Sequence, residues 1–128
     1  MMKKIIQTKN APSPIGPYNQ AVLAGGMLYL SGQIALEPSS GNLVLDSIEA
    51  ETHQVMKNIE AILSEAGLNF NHVVKTSIFL LDMNNFAKVN EVYGAYFTSD
   101  FPARETVQVS CLPKNVNVEI SMIALASN

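Results

Sequence analysis

Phe101-Pro102-Ala103-Arg104-Glu105-Thr106-Val107-Gln108-Val109-Ser110-Cys111-Leu112-Pro113 is the stretch on which the reading of this chain turns. Pro102 fixes its own φ and biases Phe101 toward extended geometry, so Phe101-Pro102-Ala103 is a stiff lead-in. From Arg104 the pattern alternates as a strand does. Val107, Val109 and Cys111 point one way; Arg104, Thr106, Gln108 and Ser110 point the other. Leu112-Pro113-Lys114-Asn115 reads as a turn. Val116 to Leu125 then reads as a second strand, apolar enough to be largely buried. A cation, Arg104, and a carboxylate, Glu119, thus stand in two β-rich segments with little other charge. That placement is costly unless both groups are paired or used. A tight hairpin between these strands would set Arg104 against residues near the C-terminus and leave Glu119 near the turn. For the two to share a site requires a wider pocket, or groups from a neighbouring subunit.

Working back toward the N-terminus, Ser99-Asp100 leads out of a helix expected from about Asn85 to Phe97. Its apolar face is Phe86, Val89, Tyr93 and Phe97, with Asn90 on the edge of that face and a cap available in Asp82-Met83-Asn84-Asn85. His72 to Leu81 is a strand. Asp46 to Gly67 is the clearest helix: Asp46 can cap it with Glu49 three residues on. Ile48, Thr52, Val55, Met56, Ile59, Ile62, Leu63 and Ala66 form one stripe, and Gly67 is placed to end it. Pro38 to Asn42 is a surface turn. Tyr18 to Ala24 and Met27 to Ser31 flank Gly25-Gly26, a hairpin signal. Asn10 to Pro17 holds three prolines and a glycine, a loop stiff enough to hold Tyr18 in a fixed place. Lys4 to Thr8 is a short strand.

The order β, ββ, α, β, α, ββ lacks strict βαβ alternation. It predicts a single α+β domain over residues 1–128, one sheet with both helices on one face. The other face then needs a cover, and oligomerisation through the sheet supplies one. At 128 residues the chain is long enough for one core and too short for two. It is 48% hydrophobic and 15% charged, a globular composition. A net charge of −3 with no basic patch argues against a nucleic-acid partner. One cysteine excludes an intrachain disulfide and suits a reducing compartment. Met1 to Gln7 has two lysines but no apolar run behind them, so it does not read as a signal peptide. No stretch is long and apolar enough to span a membrane. The expectation is a cytoplasmic, soluble protein.

Motifs for nucleophile elbows and phosphate loops are absent. His53, among Glu49, Lys57 and Glu60, and His72, at a strand start, lack partners at ligand spacing, so no metal site is expected. Cys111 reads as a buried small hydrophobe before it reads as a nucleophile. Arg104 is the strongest candidate. A guanidinium fork at the mouth of a strand suits bidentate binding of a carboxylate, against the alternative of a structural ion pair with Glu105 or another acid. Glu105 points to the opposite face if the strand is regular. Glu119 is either a base acting on water or a shuttle for protons, or else an edge or interface residue. Tyr18 and Asn90 are weaker candidates, each with a packing or hydrogen-bonding role as its alternative.

Taken in order, Ile15-Gly16-Pro17-Tyr18, Ser31-Gly32-Gln33-Ile34, Val74-Lys75-Thr76, Phe86-Ala87-Lys88-Val89-Asn90, Pro102-Ala103-Arg104, Leu112-Pro113 and Val118-Glu119-Ile120 resemble the Rid proteins. These are the reactive enamine/imine deaminases of the YjgF family, and the chain is similar to the RidA subgroup along essentially its whole length. The resemblance implies a chorismate-mutase-like α+β subunit and a homotrimer with its sheets inside and active sites between subunits. It implies hydrolysis of 2-imino acids such as 2-iminobutanoate and 2-iminopropanoate to 2-oxo acids and ammonia, with no cofactor and no metal. Arg104 would clamp the substrate carboxylate and Glu119 would activate water. Tyr18, Ser31, Gly32 and Asn90 match pocket positions, and backbone groups near Thr106 would complete the polar contacts. The chain departs from the pattern at Glu105 and Thr106, where many relatives have a small residue and a cysteine. It departs again at Ser121, where many have a second glutamate. Glu105 would put a negative charge near an anion site. Rival readings are a non-catalytic metabolite-binding regulatory trimer and an RNA-directed ribonuclease or translation inhibitor.

Overall fold

A computed structural model of the chain describes residues 2–126; Met1, at the head of the N-terminal segment discussed above, lies outside them. Six strands form one mixed sheet: β1 (Lys4–Ile6), β2 (Ala21–Ala24), β3 (Met27–Gln33), β4 (Val73–Leu80), β5 (Ala103–Gln108) and β6 (Val118–Leu125). Their order across the sheet is β1-β2-β3-β6-β4-β5. Two helices, α1 (Ile48–Glu65) and α2 (Phe86–Gly94), complete the α+β architecture.

The expected hairpin forms. Ala24 pairs with Met27 across Gly25 and Gly26, whose φ angles of 58° and 77° are the left-handed values a two-residue turn between twisted strands needs. The helix α1 starts one residue later than expected. Ser47, not Asp46, is its cap, and the Ser47 hydroxyl accepts from the Ala50 amide at 3.0 Å. Gly67 ends it with φ of 76°, which lets Leu68 and Gly67 donate back to Leu63 and Ser64.

Two further expectations change. The helix α2 stops at Gly94, short of Phe97, and Phe86 at its start is exposed while Val89, Tyr93 and Phe97 are buried. Asp82 caps a 3-10 turn, Met83–Asn85, that precedes it. The larger change concerns the last two strands, which are not a hairpin. β5 runs parallel to β4 at the sheet edge, and β6 sits between β3 and β4. A parallel pair needs a crossover, and α2 provides it, so β4-α2-β5 is a βαβ unit. Residues 109–117 then carry the chain past the end of β4 to the sheet centre, with Lys114 and Asn115 at positive φ in the turn.

This order explains the burial. Val118, Ile120, Met122 and Ala124 of β6 lie in the core against α1, flanked by strands on both sides. On the edge strand β5 only Thr106 is half-buried, and Cys111, beyond its end, is exposed and not the buried hydrophobe expected. The face away from the helices carries a row of paired residues: Ile5 with Val22, Val22 with Tyr29, Tyr29 with Ile123. Ile5 and Tyr29 are 40% and 47% exposed, so this face is apolar and open. Among the described residues, no helix is long and apolar enough to cross a membrane.

Candidate functional site

Arg104 stands opposite Thr76 of β4, on the face that carries the helices. Phe86, Asn90 and Tyr93 lie at i, i+4 and i+7 on α2 and so form one stripe facing it. The guanidinium lies 5.3 Å from the Tyr93 ring centroid and 5.7 Å from that of Phe86. Its Nη1 donates to Asn90 Oδ1 at 2.7 Å. The Tyr93 hydroxyl donates in turn to Thr76 at 3.0 Å, and burial pushes its pKa up. Asn90, Tyr93, Phe101, Pro102 and Arg104 line a cavity of about 350 Å³. The guanidinium is thereby held by a neutral amide and two ring faces. Among the described residues the salt bridge is Lys75–Glu105, at 3.0 Å, and Arg104 has none.

Glu105 answers the alternative of a structural ion pair. It stands opposite Ser77, on the face away from Arg104. A hydrogen bond from Ser77, and after it Lys75, hold its carboxyl below the usual carboxylate range. The negative charge expected near the anion site is therefore on the other side of the sheet and already matched by a cation. Ser121 pairs with Ser77 on that same face.

Glu119 belongs to a different cavity. The ladder between β3 and β6 shifts register between Leu30 and Gln33, so Ser31 and Gly32 bulge out of it beside Glu119. A Cβ at Gly32 would come within 2.6 Å of the Glu119 carboxylate oxygen, so a larger residue there would push the carboxylate out of this position. Tyr18, Ser31, Gly32 and Glu119 line a cavity of about 340 Å³ together with apolar walls that include Ile15 and Ile34. Half-burial raises the Glu119 pKa, with desolvation as the cause. The Ser31 hydroxyl donates to the Asn19 carbonyl at 2.5 Å. The proline loop does hold Tyr18: the Ile15 amide donates to its hydroxyl at 3.3 Å, and the Tyr18 amide donates to the Gly16 carbonyl at 2.8 Å.

The structure therefore brings the candidates together in two groups. Tyr18, Ser31, Gly32 and Glu119 form one; Arg104 and Asn90 form the other. Thr106 lines neither cavity, and its hydroxyl is buried without a hydrogen-bond partner. His53 meets the Tyr96 hydroxyl at 3.0 Å and His72 closes a capping box with Asn69. Among the described residues no cluster of three potential metal ligands occurs.

Three residues of this neighbourhood carried no signal in the sequence reading. Gln20, 2% exposed, binds the proline loop through the carbonyls of Thr8, Ala11 and Pro12 and the amide of Thr8. Glu51 and Asn58 of α1 are buried polar groups bonded to the segments that flank Glu119. Only a count of which polar residues share the apolar stripe's flank could have found the latter two.

A family model described as Endoribonuclease L-PSP matches residues 8–126. The chain is 52% identical to a RutC family protein of Pyrococcus horikoshii, over 96% of this chain and 98% of that protein. It is 47% identical to the human 2-iminobutanoate/2-iminopropanoate deaminase, over 98% of this chain and 91% of the human one. A crystal structure of E. coli TdcF with bound serine superposes with a TM-score of 0.93 at 40% identity, covering 97% of this chain and 99% of TdcF.

Proposed function

The chain belongs to the Endoribonuclease L-PSP family, the YjgF or Rid proteins, and from that premise we propose that it is a 2-imino acid deaminase. Its substrates are reactive imines such as 2-iminobutanoate and 2-iminopropanoate; its products are the 2-oxo acid and ammonia. The observation that carries the reading is the pair of half-sites. An arginine that has no carboxylate partner among the described residues and a half-buried carboxylate beside a glycine stand in separate cavities of one chain. A homotrimer, associated through the open sheet face, would set Arg104 and Asn90 of one subunit against Tyr18, Ser31, Gly32 and Glu119 of the next.

In that site Arg104 clamps the substrate carboxylate, a charge-assisted contact worth about 1.5–3 kcal/mol net. Asn90 and the ring faces of Tyr93 and Phe86 keep the fork oriented, which fixes the imine carbon relative to water. Glu119 takes a proton from water as its oxygen bonds to that carbon. The C=N π pair of the protonated imine moves to nitrogen and yields a neutral carbinolamine. Glu119 returns the proton to nitrogen; the C–N bond then breaks with its electron pair on nitrogen, ammonia leaves, and Glu119 takes the hydroxyl proton as the carbonyl forms, passing it to the released ammonia. A raised pKa suits a group that must both take and return a proton. Thr106 contributes through its backbone.

A coupled assay tests this. Threonine dehydratase generates 2-iminobutanoate, and 2-oxobutanoate release is followed with semicarbazide present to trap free imine. Wild type should accelerate release, Arg104→Ala should raise KM, and Glu119→Gln should lose kcat while still binding. Failure of the wild type to accelerate release would reject deamination. A second reading, a regulatory protein that binds a metabolite carboxylate, draws on the serine bound by TdcF. It needs Arg104 but not Glu119, so a Glu119→Gln variant with unaltered function would favour it. The family description also raises ribonuclease action, which the net charge of −3 disfavours.

A further inference from the structure

The carboxylate of Glu51 is 1% exposed, yet it makes no ion pair among the described residues. It accepts three hydrogen bonds, all from the two residues that precede Glu119: from the Asn117 amide at 2.7 Å, the Asn117 side-chain amide at 2.8 Å and the Val118 amide at 3.2 Å. One helical stripe further on, at i+7, Asn58 donates to the carbonyls of Ile34 and Leu36 at 3.1 and 2.9 Å. Gln54 donates to Asn58 Oδ1 at 2.9 Å and so fixes which way that amide faces. Ile34 and Leu36 line the Glu119 cavity. A single buried polar edge of α1 thus grips both walls of that cavity from behind.

The grip falls just beyond the end of the β3 ladder. On the β3 side the ladder bulges at Ser31 and Gly32, opposite Ser121, and its last pair is Gln33 with Ile120, so Glu119 and the two residues before it have no ladder partner on β3. On the β4 side, Leu81 donates to the Asn117 carbonyl at 3.0 Å and Phe79 stands opposite Glu119. Glu51 adds to that one-sided pairing a second fixed point for the start of β6. A strand free to pivot there would swing the Glu119 side chain away from Gly32.

We infer that Glu51 is a positioning residue for Glu119, holding the first residues of β6 so that the carboxylate stays beside Gly32, with Asn58 fixing the opposite wall. The inference rests on the deaminase reading where it concerns rate, but the geometry it asserts is independent of that reading. A glutamine can accept from both backbone amides and meet a flipped Asn117 side chain, whereas a leucine of similar size can do neither.

The test uses the full chain, with Glu51→Gln, Glu51→Leu and Asn117→Ala compared with wild type. Glu51→Leu should lower kcat about tenfold or more while KM, set by the Arg104 half-site, stays near wild type. Glu51→Gln should retain most of kcat, and Asn117→Ala, which removes one of the three donors, should fall between. The second readout needs no activity: titration of Glu119 followed by carboxyl ¹³C NMR. Tyr18 is the other titratable side chain lining that cavity. Glu119 should titrate over the same range in wild type and Glu51→Gln, and over a lower one in Glu51→Leu and Asn117→Ala. If wild type has no deaminase activity, the function fails and this titration still decides the positioning role. An unchanged Glu119 titration in both Glu51→Leu and Asn117→Ala, a loss carried by KM, or a Glu51→Gln variant as poor as Glu51→Leu would overturn it.

Discussion

Glu119 carries a tension between stability and chemistry that can be measured. Burial holds its carboxyl above the ordinary range, so the native state takes up a proton more readily than the unfolded chain does. Stability from such a group is present below the unfolded-state pKa and lost as pH rises through the raised native value. Glu119→Gln removes that loss. Its Tm should match wild type in acid and exceed it at neutral pH, while its kcat falls; calorimetry across pH reads the difference. A neutral-pH Tm below wild type would mean that the carboxylate serves the fold and not catalysis. At this scale the sequence was informative where charge is rare. Arg104 and Glu119 stood out because their strands hold few other charges. Glu51 did not, because a helix rich in acidic residues gives no local sign of which carboxylate is buried. Cys111 was misread because alternation was carried past Gln108, where the strand ends.

Elements with local causes were the legible ones. The glycine pair fixed the β2-β3 hairpin, and the apolar stripe with Gly67 fixed α1. The cap differed by one residue because Ser47 and Asp46 are both competent and only backbone geometry selects between them. Strand order was not legible. Two strands with a turn between them resemble a hairpin in sequence, and nothing local says that β6 inserts between β3 and β4. The proline loop shows how a non-local side chain fixes an element. Its three prolines make it stiff, but Gln20 fixes its place, with Nε2 donating to the Pro12 and Thr8 carbonyls at 2.9 and 3.0 Å and Oε1 accepting from Thr8 at 2.7 Å. Gln20→Ala leaves those groups unpaired, and several unmet hydrogen bonds should cost about 3 kcal/mol in urea unfolding. KM should also rise, since Ile15 and Tyr18 lose their anchor. A cost near zero would show that water replaces the glutamine.

For the whole molecule, the two half-sites make assembly and activity one question. Arg104 and Glu119 line different cavities of one chain, and the open face bears Ile5, Val22, Tyr29 and Ile123. If a closed trimer unites them, its mass is three times the 13.9 kDa of the chain, which sedimentation equilibrium reads directly. Subunit mixing then asks where each site is assembled. At substrate well below the raised KM of Arg104→Ala, Arg104→Ala and Glu119→Gln should each be nearly inactive alone. In a mixture refolded together, a site is intact when an Arg104→Ala chain supplies Glu119 and its neighbour, a Glu119→Gln chain, supplies Arg104. With equal amounts and random assembly this holds at about one site in four of a closed cyclic oligomer. Activity should therefore return to about a quarter of wild type in the mixture. If the two residues acted within one chain, every site would carry a defect in one of them, and the mixture would stay as inactive as its parts.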